Sequence, residues 1–351
     1  MAVSGAAPAA AHAGEAPQGA EYRVTITAIT PPVPGLTART IEAGTQIELT
    51  NRTGRPITVL GYSGEPYLDL RPDGVYRNTR SPATYLNQTL AGDTPVPPDA
   101  GPFQPPSWER ISTGTVANWH DHRVHGQAAP SPAPLQGDPT RSTVRTWVIP
   151  LRDGTTHVEI RGTLDWPPAP DAGLWWMGSL LLTLLIAALG LLNPEHRLGR
   201  AATVGLAVAG ATGAACAVLY SVGRTLDSGA SSAGALLSGL LTGEVWPVAT
   251  ALGALAAAGY ALAQRPAADF ALALAGACLG IFGGAANGGV FFRSVAPVPW
   301  SSTLARLVVA GAIAAGAGIA LAGAFRMHAA ARATTQTPAA EADRWRTVEP
   351  V

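Results

Sequence analysis

The chain changes its hydrophobic pattern near residue 173. Before that point apolar and polar residues alternate in short stretches; beyond it they run in apolar blocks of about 20, the length that crosses a bilayer. Tyr22–Ala28 and Thr45–Thr50 alternate, as do Val144–Leu151 and Thr156–Leu164. Asn51-Arg52-Thr53-Gly54 reads as a turn leading into Pro56–Leu60. Strand side chains project to opposite faces with a period of two, so each stretch predicts a half-buried strand. About seven such strands, without a helical stripe, predict an all-β antiparallel sandwich over 14–166, immunoglobulin-like or cupredoxin-like. Proline-rich inserts at 92–107 and 127–140 interrupt it, and Pro167, Pro168 and Pro170 stiffen a connector over 167–173.

The apolar blocks lie at about 174–192, 201–222, 245–263, 270–292 and 303–325 and predict an α-helical transmembrane bundle of five helices. The loop 223–243 is expected to hold a short helix at the outer surface, and 327–351 a disordered cytoplasmic tail. In the fourth block Gly276, Gly280, Gly284 and Gly288 recur at a stride of four, which lines one helix face with glycine. Close packing inside the bundle is favoured over a dimer face or a pore.

Charge confirms the division and orients it. Residues 14–173 carry 29 charged side chains and 174–326 only 11, so the chain is not one soluble globule. Arg197, Arg200, Arg265, Arg326 and Arg332 fall in or beside the first loop, the third loop and the end of the last span. Only Arg224 and Arg293 mark the other two loops. The positive-inside rule then predicts an extracytoplasmic N-terminal domain and a cytoplasmic C-terminus in the cell membrane, with Trp175, Trp176, Trp246 and Trp300 at outer ends. Glu244 and Asn287 are expected near the outer surface, Glu244 close enough to water to be solvated. No run of acids crosses the spans, which argues against an ion-driven pump. The net charge is zero and no basic run appears, so nucleic acid is excluded as a partner, leaving the lipid bilayer and other proteins.

The candidate chemistry sits at Trp119-His120-Asp121-His122-Arg123-Val124-His125, which holds three of the chain's seven histidines. In an extended segment His120 and His122 share a side and form a two-point grip on a metal; His125 joins from the following turn, or faces away if the strand continues, and the alternative to a metal site is that these histidines hydrogen-bond within a loop or face water. Asp121 and Arg123 would face the other way and pair. The only cysteines, Cys216 and Cys278, lie in apolar blocks. A thiolate copper centre in the outer domain is therefore excluded, and an imidazole site for copper, or alternatively zinc, remains. His157 and Glu65 are further possible ligands that no spacing ties to the cluster. Residues 1–13 are either a disordered alanine-rich tail or the remnant of a signal peptide. Cleavage after Ala11 would leave His12 first, offering an amine and an imidazole; cleavage after Ala13 would leave Gly14 first. The segments Gly61–Leu70 and Asn78–Asn87 read as structured loops closed by internal hydrogen bonds, with a recognition surface as the alternative.

The GYSGEPYL, SPATYLN and WHDHR segments, followed by five spans, resemble a family of actinobacterial membrane proteins that brings no established activity. The Trp119-His120-Asp121-His122 segment with His12 is similar to the copper site of the PmoB subunit of particulate methane monooxygenase. CopC-type and YcnI-type copper proteins also use an N-terminal histidine. These resemblances imply a membrane-anchored copper-binding protein, with metal ligands His120, His122, His125 and His12. Its role would be copper acquisition, delivery or tolerance, in company with other copper-handling proteins. The alternative is an envelope scaffold or partner-binding protein without metal. A copper-dependent oxygenase ranks below both, since no substrate cleft or second redox site is visible.

Overall fold

The structure, a computed structural model, describes residues 19–89, 91–125, 143–193 and 196–346. The chain forms two compact units. The first comprises the described residues up to 169 with Asp227–Gly229 and Arg293–Pro297, and the second holds the membrane helices.

The first unit is an antiparallel β domain of ten strands in two sheets. The strands are β1 (Arg23–Thr30), β2 (Leu36–Ile41), β3 (Gln46–Asn51), β4 (Ile57–Leu60), β5 (Pro66–Arg71), β6 (Gly74–Asn78), β7 (Trp108–Ser112), β8 (Val116–Trp119), β9 (Thr143–Asp153) and β10 (Thr156–Asp165). One sheet runs β1-β10-β9-β4-β5-β6-β7 and the other β2-β3-β8. Their inner faces supply one core. Leu36, Ile47, Leu49, Ala117 and Trp119 come from the small sheet, and Ile57, Leu70, Trp147, Ile149, Leu151, Val158 and Ile160 from the large one. Alternation produces this: Ile47 and Leu49 face inward, while Glu48 between them pairs with Arg39 across the β2–β3 ladder at 2.6 Å. Two one-turn helices interrupt the strands, α1 (Ala83–Leu86) and α2 (His122–His125).

The second unit contains five helices long and apolar enough to span a membrane, at Ala172–Leu191, Arg197–Asp227, Val245–Leu262, Ala268–Phe291 and Ser302–Ala333. This is a multi-pass membrane protein. The spans are built from α3 (Ala172–Ala188), α4 (Arg197–Asp227), α6 (Val245–Leu262), α7 (Ala268–Cys278) and α8 (Ser302–Arg346), while α5 (Ala233–Thr242) is the short helix of the second loop. Leu181 and Leu185 on α3 are exposed, as a lipid-facing surface requires. The fourth span is not α-helical throughout: after α7 it widens into a π turn at Leu279–Gly284 and tightens to 3-10 over Ala285–Phe291. Its glycines pack within the unit. A Cβ on Gly276, Gly280 or Gly284 would press on α8 at Gly316–Ala320 or Ile313, and one on Gly288 would meet Trp176. The helix α8 continues to Arg346 rather than dissolving at 327. Ala329, Ala330, Ala331 and Ala333 are strong helix formers and carry it onward.

Candidate functional site

The strand β8 ends at Trp119, and the chain then leaves the ladder. His122 opens the α2 turn, so the alternation that would set His120 and His122 on one face stops short of them. His120 instead meets His125. His120 Nδ1 lies 2.9 Å and His125 Nε2 2.8 Å from the same carbonyl oxygen, that of Thr45. A carbonyl only accepts, so both nitrogens carry protons, and the nitrogens left for a metal are His120 Nε2 and His125 Nδ1. Burial holds the His125 imidazole below its ordinary pKa against the Thr45 bond, and the His120 ring adds to the lowering. The shared acceptor follows three residues with positive φ: Glu42 at 53°, Ala43 at 56° and Gly44 at 89°. The left-handed conformation costs a non-glycine residue about 1–2 kcal/mol, so this turn places local strain beside the histidine pair.

His122 turns to a different partner. Its Nε2–H donates to the Leu86 carbonyl at 2.8 Å, and its backbone N–H donates to the Tyr62 hydroxyl at 3.0 Å. That hydroxyl donates in turn to Asn87 Oδ1. Asp121 and Arg123 do pair, at 2.7 Å, and Asp121 is fully buried. Its carboxylate also accepts the Trp119 indole N–H at 3.0 Å, and Arg123 donates to the Leu60 carbonyl and stacks over the Tyr62 ring. Behind them the Glu65 carboxylate, also buried, accepts from Ser63 N–H and Ser81 Oγ, both at 2.9 Å. The three sequence segments therefore form one hydrogen-bonded cluster, and the two loops are closed internally. Tyr62, Leu86, His122, Arg123 and Arg145 line a surface cavity of about 320 Å³ at its edge. Arg145, which the sequence reading passed over, carries no local signal: only the fold brings β9 to this cavity.

Metal-bound imidazoles usually donate their other ring N–H to a carbonyl or carboxylate. His120 and His125 have that arrangement. Among the described residues no three His, Cys, Asp or Glu side chains gather as a ligand set. Glu65 is committed to Ser63 and Ser81, and His157 is exposed on β10 opposite Arg152. His12 and the insert at 127–140 lie outside the described residues.

In the helical unit Glu244 is buried rather than solvated. Its carboxylate holds Arg224 Nε at 3.0 Å and Ser221 Oγ at 3.1 Å, and Arg224 donates to Asn287 Oδ1 at 3.1 Å. This network ties α4, α6 and the 3-10 part of the fourth span together. Arg306 on α8 is also buried and donates to the Val290 carbonyl.

No family model, curated protein or solved structure matches the chain.

Proposed function

We propose that the chain is a membrane-anchored copper-binding protein whose β domain lies outside the cytoplasm and serves copper acquisition, delivery or tolerance. The observation that carries this reading is the convergence of His120 and His125 on the Thr45 carbonyl. It orients two imidazoles together and leaves one nitrogen on each for a metal. In this reading the pair is the core of the site, His12 or another group outside the described residues completes it, and His122 positions the loop. An N-terminal His12 would add an amine and an imidazole, giving the four-nitrogen set that suits Cu(II) over tetrahedral Zn(II). Binding then weakens with acid, because protons compete for the same nitrogens. The test is the metal content of the full-length chain purified from its natural membrane, together with the mass of its mature N-terminus. Copper near one per chain that is lost at acid pH supports the reading; a metal-free chain that takes up none from Cu(II) solution refutes it.

A second reading is favoured by the cavity at Tyr62, His122, Arg123 and Arg145: a metal-free domain that binds an envelope partner. In that case the histidines only close loops, and chelation leaves the protein's interactions unchanged.

A further inference from the structure

At one end of the helical unit, Arg200, Thr203, Gln264, Arg265, Asp269 and Arg326 surround a pocket of about 350 Å³. They come from the first two turns of α4, the link between α6 and α7, the start of α7, and α8. Arg326 is the unusual member. Its side chain is 4% exposed, yet its guanidinium makes one hydrogen bond, from Nη1 to Thr203 Oγ1 at 3.0 Å. Asp269 stands 3.7 Å from that same nitrogen, while Nε and Nη2 are buried with no partner among the described residues. A buried cationic donor left unpaired is costly. Two more guanidiniums, Arg200 and Arg265, line the same pocket, where Asp269 supplies the one carboxylate among the described residues.

We infer that this pocket binds a phosphate group, either the headgroup of an anionic phospholipid or a free phosphate ion. A phosphate offers several acceptor oxygens and enough negative charge to engage more than one guanidinium, whose planar forks match its geometry. The N-terminal end of α7, where Ala268 and Asp269 line the pocket, adds the positive end of a helix dipole. The pocket lies at the ends of membrane-spanning helices, the depth at which lipid phosphates sit. This inference is independent of the copper reading.

The test uses the full-length chain in neutral detergent. Native mass spectrometry compares retention of phosphatidylglycerol with phosphatidylcholine, and thermal unfolding is followed with and without inorganic phosphate. Preferential retention of phosphatidylglycerol alone assigns a lipid headgroup, and a phosphate-dependent rise in unfolding temperature alone assigns a free ion. Both together support the shared chemistry. Arg200 and Arg265 are exposed, so Arg200→Gln with Arg265→Gln should fold normally and weaken whichever binding is seen by about tenfold. Asp269→Asn should strengthen it. Equal retention of the two lipids with no phosphate effect overturns the inference, as does wild-type binding by the double variant.

Discussion

Asp121 shows how much a single residue in the WHDHR segment supports. Its carboxylate joins Trp119, Arg123 and, through Arg123, the Leu60 carbonyl, with none of it exposed. Asp121→Ala leaves a largely buried guanidinium without its counter-charge, which costs about 3–5 kcal/mol. The full-length chain should then lose the near-ultraviolet dichroism of the β-domain tryptophans Trp119 and Trp147 at a clearly lower temperature than wild type. Gly61 is a second such position. A Cβ there would overlap the Glu65 carboxylate, so Gly61→Ala should destabilise the domain by about 1–3 kcal/mol in the same measurement. The pairing of Asp121 with Arg123 and a place for His125 beside His120 were legible from the sequence; the separation of His122 from that pair was not. It depends on the chain leaving the β8 ladder at Trp119 and on the placement of Thr45, whose distance of 75 residues from His120 no local pattern conveys.

Elements were legible where one face meets the core and the other meets water. The four alternating stretches are strands, as β1, β3, β9 and β10, and Pro56–Leu60 beyond the turn supplies β4. The expected loop Gly61–Leu70 instead contains most of β5, Pro66–Arg71. Tyr67, Leu68, Asp69 and Leu70 are all buried there, so the period-two signal is lost. In the membrane half the apolar length fixed the five spans, and the glycine stride indicated close packing inside the bundle; that the partner is α8 comes from the fold. The π and 3-10 segments left no sequence mark apart from glycine. Gly280 and Gly316 approach so closely that a side chain at either would meet the other's backbone. Gly316→Leu should therefore separate the two helices and lower the unfolding temperature of the helical unit, whereas leucine at Gly253, with nothing near its Cβ position, should be tolerated.

At the scale of the whole molecule, one end of the helical unit gathers Arg200, Arg265 and Arg326 around a pocket, and Arg224 sits with Glu244 and Asn287 elsewhere in the unit. The positive-inside rule assigns the end rich in arginine to the cytoplasm. Reporter fusions at residues 166 and 340 should then be active in the extracytoplasmic and cytoplasmic compartments respectively. The opposite pattern, or both reporters on one side, would refute the proposed orientation.

The copper reading is tested most directly by Cu(II) titration of the full-length chain, stripped of metal, as wild type and as the His120→Ala, His125→Ala and His122→Ala variants. Near-ultraviolet dichroism confirms that each variant is folded. Even partners of ligands change metal affinity about 10–100-fold, so loss of a ligand should cost at least about tenfold. The account predicts such a loss for His120→Ala and for His125→Ala, each folded, and near wild-type affinity for His122→Ala. Unchanged binding in either of the first two, or a wild-type chain that does not bind Cu(II), would contradict it.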